Sequence, residues 1–246
     1  MALQLCPSGM KHAKSALALG VKHMSLHLNT MDLKTWSFAD EAESRVENAA
    51  LMHFRADGWN GVNVEGGLIL NLIKAASFNQ IKPTERSAFV ESLYAQHWDK
   101  PAYSEVDLLK KILSATATRI TQSEVNLRGW PGLSKEHLVS FFASLGVERL
   151  HAIATIFARS PYDYRAGWPD LTLWHGQEVQ FVEIKSPADK LHASQKRLFE
   201  DLLVPLGLNV IIADVLPRPI SLAVDPFDLN STDLSRQSTP PKCDTD

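Results

Sequence analysis

Cysteine is nearly absent: the 246-residue chain holds two, Cys6 and Cys243, near opposite ends and in no CxxC or Cys/His spacing. That argues against a disulfide scaffold and against a zinc-ribbon site. No run of about 18 apolar residues could span a bilayer, and the N-terminus lacks the charged, apolar, small-residue order of a secretory signal. The expectation is an intracellular protein with no membrane partner. Charge of one sign is missing too. With 25 Lys and Arg against 28 Asp and Glu, the formal net charge is -3, so any surface for a polyanion has to be local. Serine-hydrolase GxSxG, Walker A and GxGxxG fingerprints are absent in their useful contexts, and there are no internal repeats. What remains is an ordinary globular composition, 45% hydrophobic and 22% charged, in a chain long enough for one large domain or two small ones.

The first two thirds read as helical. A short helix is expected from Lys11 to His23, and a firmer one in ADEAESRVENAALMHFRADG, capped by Asp40 and ended by Gly58. Glu47, Leu51 and Phe54 recur at helical spacing there, which puts Glu47 on an apolar stripe. GVNVEGGLILNLIKAASF reads as a glycine-rich turn feeding an apolar helix; Pro83 to Trp98 and Ser104 to Arg119 follow as helices. SKEHLVSFFASLG and VERLHAIATIFAR make two more, the former ended by Gly146. After Arg159 the pattern changes. LTLWH and EVQFVEIK, separated by HGQ, suit a hairpin; a helix from about Leu191 to Leu203 and a last strand, LNVIIADV, complete a mixed sheet flanked by helices. The end, rich in Pro, Ser, Thr and Asp, has too little apolar surface to order itself.

The chemistry is concentrated in GWPDLTLWHGQEVQFVEIKSPADKLHASQKRLF. Asp170 and Glu183 are thirteen residues apart, a separation that in a hairpin sets the start of one strand beside the end of its neighbour, with both carboxylates on one rim. Glu183 and Lys185 alternate with Ile184, so the two polar side chains share a face. Paired carboxylates repel unless a cation or proton neutralises them, and hard oxygen ligands suit Mg²⁺ or Mn²⁺. Such an ion would polarise a phosphate and activate water, with Lys185 orienting the nucleophile or stabilising transition-state charge.

A PD dipeptide followed by ExK resembles the PD-(D/E)xK nuclease superfamily; GWPDL, VEIKSPADKL and SQKRLF together resemble its VRR-NUC branch. VENAALMHFRADGWNGVNVEGG further resembles a motif of the Fanconi-associated nuclease family, so the likeness runs from about Val46 to Val215. It implies an α/β fold of restriction-endonuclease type, with a large helical N-terminal part and a helical insertion. The expected division is a helical lead-in at 1–38, a nuclease domain at 39–215 with its VRR-NUC core at about 159–215, and a tail at 216–246. The likeness carries over Asp170, Glu183 and Lys185, assigns a further metal-binding glutamate to Glu47, and implies that the Ile184 backbone carbonyl ligates metal. Activity on branched or 5′-flap DNA, with Mg²⁺ or Mn²⁺, in interstrand crosslink repair is what it implies. Relatives of this kind are usually longer, so the chain is read as a minimal member or a piece of one. A dimeric junction resolvase or restriction-type endonuclease, and a noncatalytic DNA-structure-binding module, are the alternatives.

Other residues have plainer roles open to them. Glu43 lies one turn from Glu47, and either could face the site. Glu65 could add a ligand or be an exposed turn acid. Gln195 and Lys196 sit where a helix could contribute accessory contacts, and Lys190, His192, Lys196 and Arg197 form a local basic cluster that could meet phosphates. His23 and His27 have the spacing of a helical zinc pair but no third ligand. Trp36, Trp59 and Trp130 read as packing residues before base-stacking platforms.

Overall fold

The computed structural model describes residues 11–77 and 130–218. The helices expected at Pro83 to Trp98 and Ser104 to Arg119, and the tail beyond residue 218, lie outside the described residues. In chain order the elements are α1 (Lys11–Leu19), β1 (Lys22–Leu28), α2 (Val46–Ala56), β2 (Asn60–Asn63), α3 (Gly67–Ser77), α4 (Lys135–Leu145), α5 (Val147–Phe157), α6 (Pro161–Tyr164), β3 (Leu171–His175), β4 (Glu178–Lys185), α7 (Ala193–Leu198) and β5 (Asn209–Pro217). A π-helical turn, Phe199–Leu203, extends α7.

The five strands form one mixed sheet, ordered β1-β5-β4-β3-β2. The hairpin β3–β4 is antiparallel, with Leu171 opposite Val182 and His175 opposite Glu178. β5 runs parallel to β4, and β1 parallel to β5. A parallel pair needs a long crossover, which the segment containing α7 supplies. Alternation along β4 sends Val179 and Phe181 into one apolar layer, with α3, α4, α5, α7 and the π turn. Val182 and Ile184 enter the other layer, with Ala50, Leu51 and Phe54 of α2. Each buried aliphatic or aromatic side chain in these layers contributes about 1.5–3 kcal/mol of transfer free energy.

Three expectations need correction. The helix expected to reach His23 stops at Leu19, and Lys22–Leu28 is an edge strand, so the segment before residue 39 adds to the sheet. Met24, Leu26 and Leu28 alternate with polar residues, a period-two pattern that suits a half-buried strand. Asp40 does not cap α2, because backbone pairing of Trp36 with Ser44 carries the chain past it and the helix begins after Arg45. The stretch read as a turn before α3 contains β2, paired antiparallel with β3. By contrast, Ser134 caps α4 with His137 in a reciprocal capping box, and Gly146 (φ 78) separates α4 from α5 as expected. Those two helices meet at 98°, and among the described residues no single helix is long and apolar enough to cross a membrane.

Candidate active site

At the C-terminal rim of β4 the apolar face gives way to polar side chains: Phe181 is followed on the same side by Glu183 and Lys185. Both are buried, at 1% and 4% exposure. Asp170, just before β3, is tied to that rim by a 2.8 Å hydrogen bond from the Ile184 N–H to its Oδ2. The hairpin thus brings Asp170 and Glu183 together as their spacing predicts. Lys185 Nζ lies 2.7 Å from Glu183 Oε1. From α7, the Gln195 amide donates to the same Glu183 oxygen at 2.5 Å, while its own Oε1 accepts from Lys185 Nζ at 3.4 Å and from the His192 N–H at 2.8 Å. Gln195 therefore locks the crossover helix onto the rim.

These groups line a cleft of about 350 Å³, together with Glu47, Glu65, Asp189 and His192. Glu47 comes from the first turn of α2, more than a hundred residues upstream in sequence. Of the two candidates on that segment, Glu47 lines the cleft, whereas Glu43 lies outside the helix and accepts from Thr35 Oγ1 at 2.9 Å. Glu65, the acid of the VEGG turn, also reaches the cleft. Its turn needs left-handed backbone at two successive residues, Glu65 (φ 40) and Gly66 (φ 84), and at Gly66 the Trp168 ring occupies the space a side chain would need. The signal was present in VEGG, but nothing local said what that turn would face. Lys196 is exposed and is not a wall of the cleft. Of the basic cluster, His192 lines it and Arg197 pairs instead with Asp163. The zinc pair on a helix is not formed: both histidines lie on β1, and His23 Nε2 is 2.8 Å from Asp214 Oδ2.

Electrostatics in the cleft follow from burial. Desolvation pushes the Glu183 carboxyl up to about 8; the neighbouring Asp170 charge adds to the rise, and Lys185 only partly opposes it. Desolvation likewise raises Asp170 to about 6, against the hydrogen bond from Ile184 and with a further push from Glu47. Glu183 Oε2 and Glu47 Oε2 are buried without a hydrogen-bond partner, although Arg45 Nε stands 3.4 Å from the latter. Among the described residues no three Asp, Glu, His or Cys side chains form a closed metal cage. A hard divalent cation does not require one: Mg²⁺ is usually held by one or two carboxylates, with water and phosphate completing its shell. Orphaned carboxylate oxygens in a desolvated, acid-rich cleft fit such an ion. Glu47, Asp170, Glu183 and the Ile184 carbonyl are the groups available to it.

A mixed five-stranded sheet with flanking helices is the α/β, PD-(D/E)xK-like fold that was expected. Residues 106–217 match the model of the VRR-NUC domain. It is similar to the Fanconi-associated nuclease 1 homolog of Oryza sativa subsp. japonica, with 29% identity over 199 residues, or 70% of this chain and 20% of that protein. The Schizosaccharomyces pombe homolog is 26% identical over 193 residues, covering 69% of this chain and 27% of its own length. Among solved structures, paFAN1 bound to 5′-flap DNA of 2 nucleotides with a gap aligns with a TM-score of 0.55 and 19% identity, over 89% of this chain and 39% of that one. At that identity the likeness is one of fold. The chain spans about a fifth to a quarter of the length of these curated relatives.

Proposed function

We propose that this protein is a Mg²⁺- or Mn²⁺-dependent nuclease that hydrolyses phosphodiester bonds in branched or 5′-flap DNA. The observation that carries this reading is the convergence of Glu47, Asp170, Glu183 and Lys185 on one cleft from a helix and a hairpin remote in sequence. The 5′-flap DNA held by paFAN1 supports the substrate class, and similarity to Fanconi-associated nucleases supports interstrand crosslink repair, inside the cell, as the setting.

Glu47, Asp170, Glu183 and the Ile184 carbonyl would hold the ion, which supplies Lewis-acid polarisation of the phosphate and a lowered water pKa when bound. Asp170 is oriented by the Ile184 N–H. Glu183 is held by Lys185 and Gln195. Lys185 has three donors, two of them directed at Glu183 and Gln195, so one remains for the attacking water or a phosphate oxygen. Its ammonium, buried in low dielectric, stabilises the charge that grows on the phosphoryl oxygens. The reaction is direct hydrolysis, with no covalent enzyme intermediate.

The test is cleavage of labelled 5′-flap, duplex and single-stranded DNA with Mn²⁺ or EDTA. Metal-dependent cleavage lost in Asp170→Ala and in Lys185→Ala is expected; cleavage surviving in both would refute the assignment. Product mapping distinguishes flap cutting from the symmetric paired nicks of a dimeric resolvase.

A further inference from the structure

We propose that a second cavity, beside the cleft and sharing two of its walls, is a subsite for the base of a nucleotide adjoining the scissile phosphate. This rests on the nuclease reading. The cavity, about 220 Å³, is walled by Arg45, Glu47, Asn63, Val64, Glu65, Trp130 and Pro131. Glu47 and Glu65 also line the cleft, so a nucleotide whose phosphate lies among the carboxylates has its base at the mouth of this cavity.

The chemistry of the walls selects a base over other occupants. Asp170 and Glu183, which would help hold an ion that draws phosphate, line the cleft and not this cavity, so Glu47 and Glu65 disfavour the backbone in the cavity interior. A neutral, hydrogen-bonding, planar ring meets no such penalty and gains an aromatic wall. At about 220 Å³ the space is below the roughly 300–1,000 Å³ of whole small-molecule sites, and so suits one heterocycle. The Trp130 indole is held in place because it packs on Gly67, where an added Cβ would stand 2.6–2.8 Å from Cδ1, Cγ and Nε1 of the ring. Asn63 Nδ2 donates to Asn48 Oδ1 at 3.0 Å, which fixes the Asn63 amide and leaves its carbonyl oxygen as an acceptor for base edges. Arg45, 78% exposed in its side chain and 3.4 Å from Glu47 at Nε, is placed at the rim, where a neighbouring phosphate would pass. Stacking on an aromatic wall is tolerant of base identity. The subsite therefore sets how firmly the strand is positioned, not which sequence is cut.

The experiment uses the full chain and 5′-flap DNA in which nucleotides flanking the mapped cleavage position are replaced, one at a time, by an abasic residue. Trp130→Ala should lower kcat/KM on unmodified DNA about tenfold, and Trp130→Tyr should restore most of it. At one abasic position the unsubstituted protein should show a similar loss, and Trp130→Ala should add nothing further. An equal Trp130→Ala loss on every substrate, abasic ones included, overturns the proposal, because the indole would then only support the Gly67 turn. A second readout needs no turnover. With Ca²⁺ in place of Mn²⁺, read before any product forms, 2-aminopurine at that nucleotide should be quenched on binding to the unsubstituted protein and not on binding to Trp130→Ala, with binding followed by anisotropy. If the DNA binds but is never cut under any metal condition, the nuclease reading fails, and 2-aminopurine placed in turn at each nucleotide around the flap junction still decides the subsite; bound DNA without quenching at any of these positions overturns it.

Discussion

Acidification should weaken metal binding far more steeply than surface carboxylates would allow. Glu183 is raised to about 8 and Asp170 to about 6. At pH 6 both are ionised together in about one molecule in 200, and at pH 8 in about one in two, so the apparent Kd for Mn²⁺ should fall about 100-fold across that window. Ordinary carboxylates, ionised throughout, would change it hardly at all. Calorimetric titration of Mn²⁺ without DNA, in two buffers of different ionisation enthalpy, reads the affinity and the protons released together. About one proton per ion is expected at pH 7. Repeating the series in His192→Ala removes the one imidazole among the cleft walls. Stability carries the same signature. Because both folded-state values are raised, these two carboxyls contribute most stability to the metal-free protein below the ordinary carboxylate range, and that contribution is lost as pH rises through about 6 and then about 8. Saturating Mn²⁺ should offset that loss, so the gain in Tm grows with pH. A Kd that moves less than about threefold between pH 6 and 8, or no proton release at pH 7, would refute the reasoning that burial holds Glu183 protonated at neutral pH until an ion arrives.

Removing the Gln195 latch should cost activity more than stability: Gln195→Ala frees Glu183 and Lys185 from a common partner, and kcat should fall about tenfold or more with Tm nearly unchanged. Glu47→Gln should lower kcat by about a hundredfold in steady-state assays, whereas Glu65→Gln, at an exposed turn, should lower it less than about tenfold. Gly167→Ala combines φ 88 with a Cβ 2.5 Å from the Ser194 carbonyl group; backbone cannot yield there as a side-chain tip could. Urea unfolding should show a loss of about 2–3 kcal/mol. Asp214→Ala should destabilise by about 2–3 kcal/mol in the same measurement, since the buried carboxylate receives both His12 and His23 and ties α1 and β1 to β5.

Much of the site was legible because it is local. Asp170, Glu183 and Lys185 lie within one hairpin, where spacing and the two-residue pleat dictate which side chains share a rim. Gln195 follows ten residues after Lys185, on the crossover that returns to the same sheet. The helices α4 and α5 were equally readable, since a capping serine and a breaking glycine act on the few residues beside them. Glu47 was legible only in part: helical spacing put it on an apolar stripe, but choosing it over Glu43 depended on where α2 begins. The Trp36–Ser44 pairing decides that, not the acids that precede it.

Tertiary structure decided the rest. Asn60–Asn63 contains a glycine and two asparagines, poor strand formers, and is extended because β3 offers its backbone partners. Lys22–Leu28 alternates correctly, yet its strand identity depends on β5, nearly two hundred residues away. Glu65 and Trp130 acquire neighbours only when the turn before α3 closes under Trp168 and the indole settles on Gly67. The amino-acid sequence by itself determined a hairpin carrying two acids and a lysine, because those relations are set by bond geometry over about fifteen residues. The fold alone determined that a distant helix, a strained turn and a tryptophan would wall the same cleft and its neighbour. Those contacts require closing long loops, and a local pattern does not encode the free energy of burial that closes them.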